Sequence, residues 1–311
     1  MKRANDMKPV CSISQRMTAC RRLLASTASC ANGSCSRRVA SGRRAASGKI
    51  GGNMQSTRKT RGSGHLAGKT VLVTGGARRV GAAIVRQLHR AGANVVIHYR
   101  TSGVAAMRLQ RRLEAERGGS AACVQANLLR SDSLDALLRA VTARFGRLDA
   151  LVNNASSFYA TPVGKISPAV WDDLIGTNLK APLLLAQCAA GELTRRRGCI
   201  VNITDIHAER PLEGHVVYSI AKAGLVALTR SLARELGPRV RVNAVAPGAI
   251  AWPDTGSLAK PATQREILRR TPLQRIGRPA DIAAAVEFLI ADAPYVTGQI
   301  IVVDGGRSIV V

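Results

Sequence analysis

Long apolar runs are missing from this sequence. No stretch approaches the roughly 18 consecutive apolar residues that read as a membrane span, and the longest apolar segments are short and strand-like, so no transmembrane segment is expected. Closely paired cysteines are missing too. Of seven cysteines, Cys11, Cys20, Cys30 and Cys35 fall near the N-terminus at spacings unlike the C-x2-C of zinc sites, which argues against a bound metal. Cys123, Cys188 and Cys199 lie in apolar segments, where a free thiol serves as a small buried hydrophobe, and the pattern suits a reducing, cytoplasmic setting.

Acidic residues are nearly absent from the first 66 positions: Asp6 stands alone against fourteen Lys and Arg. That imbalance accounts for almost half of the formal net charge of +27; residues 67–311 hold 32 basic and 18 acidic side chains. Residues 1–66 are rich in Ser, Arg, Gly and Ala and show neither the helical nor the strand period, so a disordered extension is expected. We read it as a start assigned too early, with Met54 as the true beginning. A transit peptide and a basic arm for polyanions are the alternatives. The tail is the only support for a nucleic-acid-binding protein, so neither a nucleic-acid nor a membrane partner is expected.

What is present is a hydrophobic fraction of 46%, ample for a large core. From Lys69 onward, short β-rich runs alternate with helical stretches, which predicts an α/β fold: a Rossmann-type, doubly wound parallel sheet in a single domain over 67–311. Seven strands are predicted near 69–74, 94–99, 121–126, 149–153, 198–204, 239–246 and 300–303. Helices are predicted near 80–92, 103–117, 131–145, 168–195, 215–236, 263–270 and 279–291, the last with Pro279 just inside its start. In such a sheet ligands gather beyond the carboxyl ends of the strands, where strand order reverses.

Chemistry-bearing residues follow the predicted strands. Between the first strand and helix lies Thr74-Gly75-Gly76-Ala77-Arg78-Arg79-Val80-Gly81, glycines that let the backbone turn tightly and approach a pyrophosphate at a helix N-terminus. The second strand ends in His98, Tyr99 and Arg100, where an acid would meet the ribose 2′-hydroxyl of NAD; with Arg78 and Arg79 this basic set suits the 2′-phosphate of NADP.

Over residues 67–311 the sequence resembles the short-chain dehydrogenase/reductase family. The family's glycine loop corresponds to Thr74 through Gly81 and its Asn-Asn-Ala-Gly motif to Asn153-Asn154-Ala155-Ser156. Its structural asparagine corresponds to Asn178 and its Tyr-x3-Lys motif to Tyr218 through Lys222. Pro247-Gly248 and Asp304-Gly305-Gly306 match its later motifs. Three departures, Arg79 for glycine, Ser156 with Phe158 after the second motif, and Asp205 for the usual serine, look like the pteridine reductases.

That resemblance implies catalytic roles for Asn178, Asp205, Tyr218 and Lys222. It implies NADPH contacts from Gly75, Arg78, Arg79, Gly81, His98, Tyr99, Arg100, Asn127, Leu128, Asn154, Ala155, Ser156, Tyr218, Lys222, Pro247 and Gly248. Pteridine contacts fall on Arg79, Ser156, Phe158, Asp205 and Tyr218, and a homotetramer is the family's assembly. Asn127 stands where an acid usually meets the adenine; its amide oxygen still accepts a hydrogen bond.

The residues carry the chemistry as follows. Tyr218 and Lys222, four apart, share one face of a helix, and the ammonium is expected to lower the phenol pKa. Asp205, at a strand end, reads either as a cap or as a group facing the cleft; an ionised carboxylate would oppose charge building on a carbonyl oxygen but can accept from the ring nitrogens of a pterin. Phe158 reads as a core residue or as one wall of a slot for a planar ring. Residues 249–262 read as a mobile substrate loop with Trp252 as a lid. The function expected is NADPH-dependent reduction of a dihydropteridine or dihydrofolate, with a carbonyl or 3-oxoacyl thioester reductase as the alternative.

Overall fold

A computed structural model of the chain describes residues 64–252 and 260–310. The expectations for residues 1–63 and for the middle of the 249–262 loop lie outside these.

Seven parallel strands form one sheet in the order β3-β2-β1-β4-β5-β6-β7. They are β1 (Thr70–Val73), β2 (Asn94–Tyr99), β3 (Ala121–Gln125), β4 (Ala150–Asn153), β5 (Cys199–Ile203), β6 (Arg241–Pro247) and β7 (Ile300–Val303). Each lies within one or two residues of its predicted run. Strand order reverses between β1 and β4, the position where α/β sheets open a crevice. The eight α-helices among the described residues are α1 (Arg79–Arg90), α2 (Gly103–Glu116), α3 (Ser131–Phe145), α4 (Pro168–Ile175), α5 (Ala181–Arg196), α6 (Val216–Leu236), α7 (Pro261–Arg269) and α8 (Pro279–Ala291).

Because successive strand side chains point to opposite faces, β1 serves two cores. Val71 and Val73 join a cluster with Ile84 and Leu88 of α1, Leu109 of α2 and Val286 of α8. Leu72 joins a second cluster with Leu137 of α3 and Leu185 of α5. Burial on both faces explains why Val71–Val73 of β1 and Ala150–Val152 of β4 are apolar at consecutive positions.

Four expectations need correction. Residues 168–195, predicted as one helix, divide into α4 and α5 at a π turn over Gly176–Lys180. The packed chain reaches back past residue 67: Leu66 is fully buried, donates its N–H to Ala91 O at 2.8 Å, and gains about 2 kcal/mol of the kind a buried leucine contributes. Cys199 is buried as expected, but Cys123 and Cys188 are only partly so. Finally, α6 is long and apolar enough to cross a membrane by length and composition, a property that counting unbroken apolar runs overlooked. Here Val217, Leu225, Val226 and Ala233 of that helix are buried within the protein.

Candidate active site

A cavity of about 560 Å3 opens at the carboxyl ends of the strands, in the size range of small-molecule sites. Every predicted site residue lines it except Asn178, which acts from behind the wall.

The glycine loop is held by the segment after β4. Thr74 Oγ1 donates to Val152 O at 3.2 Å and accepts the backbone N–H groups of Asn154 (2.9 Å) and Ala155 (3.0 Å). Asn154 Nδ2 donates back to Thr74 O at 2.8 Å. Gly75 adopts φ +61, and a Cβ on Gly81 would lie 2.3 Å from Gly75 O, so the close approach of these turns requires glycine at both. Beyond them, α1 begins without a side-chain cap or an acid in its first turn. Its free N–H groups suit a phosphate. Arg78, Arg79 and Arg100 surround this end, and among the described residues none pairs with a carboxylate. The donor set fits the phosphates of a dinucleotide.

Arg79 is a departure from glycine with a structural consequence. It sits at φ +48, a left-handed conformation that costs a non-glycine residue about 1–2 kcal/mol. Its guanidinium donates to Ala251 O at 3.0 Å and Trp252 O at 3.5 Å, in the described first part of the 249–262 segment.

His98 does not supply the positive charge expected of it. Its ring is buried, accepts Gly75 N–H on Nδ1 at 3.1 Å and donates from Nε2 to Ala126 O at 3.1 Å, and burial lowers its pKa to about 4. The ring is a neutral brace for the glycine loop. A site whose folded pKa is about 4 against an ordinary 6.5 binds its proton in the unfolded chain first, so stability is lost as pH falls from 6.5 toward 4. Thermal melts across that window should show a decline worth up to about 3 kcal/mol, flattened in His98→Gln. An equally steep decline in the variant would assign it to other groups. Asn127 is likewise partly committed: its Oδ1 accepts Leu129 N–H at 3.2 Å, leaving one lone pair and the amide N–H groups for a ligand.

At the other end of the cleft, Asp205 follows β5. Both readings of it hold: Oδ1 caps the short turn Ile206–Ala208 by accepting His207 N–H at 2.9 Å, and Oδ2 accepts the phenol of Tyr218 at 2.7 Å. The expected lowering of the Tyr218 pKa is reversed. Burial, then the adjacent Asp205 charge and hydrogen bond, raise it well above 10, while Lys222 Nζ lies over the ring face, 5.5 Å from its centroid. Lys222 Nζ donates to Ile203 O at 2.9 Å, and burial lowers its pKa to about 8. The phenol is therefore a held proton rather than a phenolate.

Asn178 explains the π turn. Its Nδ2 donates to Leu174 O at 2.9 Å and to Ser157 O at 3.0 Å, a side-chain insertion into the helix that such turns accommodate. Its Oδ1 accepts Ser156 Oγ–H at 2.6 Å, tying the second motif to this turn. Phe158 is no core residue: it is 46% exposed, stacks on His215 at 4.8 Å, and meets Tyr218 edge-on at 4.8 Å. His215 and the wall residue Arg307 went unnoticed in the sequence, because neither belongs to a motif; only the fold brings them here.

A cleft at the sheet's reversal point, a phosphate cradle at one end and a Tyr-Lys pair at the other define a dinucleotide-dependent oxidoreductase. The family model described as enoyl-(acyl carrier protein) reductase matches residues 75–308. The chain is 38% identical over 249 residues to 3beta-hydroxysteroid dehydrogenase 1 of Eggerthella lenta, covering 78% of this chain and 95% of that protein. It is 38% identical to the 3-oxoacyl-[acyl-carrier-protein] reductase FabG of Staphylococcus aureus (76% and 97% covered) and 37% identical to a 3-oxoacyl-[acyl-carrier-protein] reductase of Synechocystis (78% and 97%). The chain belongs to the short-chain dehydrogenase/reductase family of oxidoreductases.

Proposed function

We propose that this enzyme reduces a pteridine, of dihydropteridine or dihydrofolate type, with NADPH. The observation that carries the reading is the 2.7 Å hydrogen bond from Tyr218 to Asp205, a carboxylate where a ketone reductase places a hydroxyl donor. A carbonyl oxygen gaining negative charge beside Asp205 would be destabilised. A pterin instead offers N–H donors to that carboxylate and needs protonation at a ring nitrogen.

NADPH, when bound, supplies the hydride, with Arg78, Arg79 and Arg100 placed to hold its phosphates. Tyr218 is the proton donor: its raised pKa keeps the phenol protonated at neutral pH. Asp205 orients that proton and accepts from the substrate, and Lys222 recharges the phenol from its buried position and is placed to hold the nicotinamide ribose. Phe158 offers the exposed part of its ring to a planar substrate. A homotetramer in the cytoplasm is part of the same reading; edge strand β7 exposes Val302, and the segment after it exposes Ile309 and Val310, apolar side chains that a second subunit could cover.

A second reading, reduction of a 3-oxoacyl thioester, is favoured by the names of the relatives. NADPH oxidation measured side by side with dihydrobiopterin, dihydrofolate and an acetoacetyl thioester separates the two. Turnover of a pteridine is expected; turnover of the thioester with both pteridines inert would establish the second reading instead. For the cofactor, Arg100→Ala should weaken NADPH by roughly 10-fold or more, the scale of one charge-assisted hydrogen bond, while changing NADH little. Equal affinity of the unmodified enzyme for both dinucleotides would overturn that preference.

A further inference from the structure

The cavity has a second cationic pole. After β7 the chain passes Asp304 and turns on Gly305 (φ +68) and Gly306 (φ +86) into a short helical turn, Arg307–Ile309, which sets the Arg307 side chain in the cavity wall. The sheet order places β7 on the far side of β5 from β1 and β2, so Asp205 lies between this arginine and the Arg78-Arg79-Arg100 cradle.

Arg307 is partly withdrawn from water in the field of Asp205 and Asp304, yet neither receives its protons. Asp205 accepts one bond on each oxygen, from His207 N–H and from the Tyr218 phenol, and none from Arg307. Both oxygens of Asp304 accept backbone N–H groups, from Gly306 at 2.8 Å and Ser308 at 2.6 Å. Among the described residues no acceptor takes a hydrogen bond from the guanidinium and no carboxylate lies within 4.0 Å of it. Five donors in a planar fork, partly desolvated and unmatched, are costly unless an acceptor arrives with the ligand. Leu212, Ile267 and Trp252 line the wall as well, an apolar stretch for the body of a substrate tail.

We propose that Arg307 binds a carboxylate or phosphate at the end of the substrate's tail, so that the enzyme selects substrates carrying an anion remote from the reducible group. A guanidinium fork pairs with either anion in a bidentate way that an ammonium does not reproduce. The inference rests on the cleft being a reductase site but not on the choice of ring. In a pteridine the anion would be the carboxylates of a folate tail; in a thioester, the phosphates of a pantetheine carrier.

The test compares each anionic substrate with a partner lacking the anion, dihydrofolate with dihydrobiopterin and acetoacetyl-CoA with the acetoacetyl thioester of N-acetylcysteamine. The full-length wild-type chain, Arg307→Gln and Arg307→Lys are used, after melts confirm that all are folded. Arg307→Gln should raise KM for the anionic member of the reactive pair by roughly 10–100-fold, the scale of a charge-assisted bond. KM for the neutral member should stay within about twofold, kcat should change little, and Arg307→Lys should recover only part. Equal effects on both members, or none, would overturn the assignment. The pair that reacts reports whether the anion is a carboxylate or a phosphate. If neither pair turns over, the reductase reading fails, and equilibrium binding of folate, biopterin and CoA decides Arg307 separately. Charge-selective loss of binding in Arg307→Gln supports it; absence of such loss, or of any binding, overturns it.

Discussion

Asp205→Ser is expected to lower pteridine turnover by about 10²–10⁴-fold, the range for losing a group that handles protons, with cofactor affinity nearly unchanged. The substitution separates the two jobs that the structure gives this carboxylate. Serine ranks with aspartate as a helix cap, so the His207 N–H bond can be kept and the melting temperature should move little. What disappears is the acceptor that holds the Tyr218 proton at 2.7 Å. Because serine restores the hydroxyl donor of a ketone reductase, turnover of a simple ketone should hold or rise. Steady-state kinetics on a pteridine and a ketone, with a melt on the same preparation, check all three. Unchanged pteridine turnover would reduce Asp205 to a cap.

Tyr218→Phe should cost kcat a comparable factor, about 10²–10⁴, while leaving the fold intact, since the ring that packs against Phe158 is retained. Its pH dependence is the sharper test. With the phenol pKa raised well above 10, Tyr218 stays protonated throughout the usual assay range, and the group that changes charge there is Lys222, near pH 8. In the unmodified enzyme kcat/KM should therefore fall as pH rises through about 8, and in Lys222→Arg any residual activity should lose that limb. A limb that survives in Lys222→Arg would assign it elsewhere. The same depression has a stability signature of defined sign: the buried ammonium is a burden below about pH 8, and stability recovers as pH rises from 8 toward 10.5, where the unfolded chain still binds the proton.

Much of this architecture was legible from local pattern. The central strands announced themselves because β1, β4 and β5 are buried on both faces and largely apolar at consecutive positions, while the edge strands β3 and β7 are apolar yet only partly buried; the residues after β1, β4, β5 and β6 were already marked as chemistry-bearing. What the sequence withheld were properties set by distant neighbours. Pro182 and Gly176 within 168–195 signal a break that the reading of one helix passed over, but its form as a π turn at Gly176–Lys180 depends on the Asn178 amide reaching Leu174 and Ser157. His98 looked cationic beside Tyr99 and Arg100, and only burial between Gly75 and Ala126 makes it neutral. Proximity to Lys222 suggested an acidified phenol, but the hydrogen bond to Asp205 and the loss of water act in the opposite direction. Arg307 carried no motif at all. Its role depends on the fold setting it in the cavity wall with no acceptor of its own among the described residues.

The bonds from Arg79 to Ala251 and Trp252 join the turn after β1 to the chain leaving β6. A dinucleotide that favours one arrangement of the first turn would act through these bonds on the second, and a substrate bound at the second would act on the first. Whatever coupling these bonds carry between the two halves of the cleft must act on both ligands by the same factor, whichever arrives first.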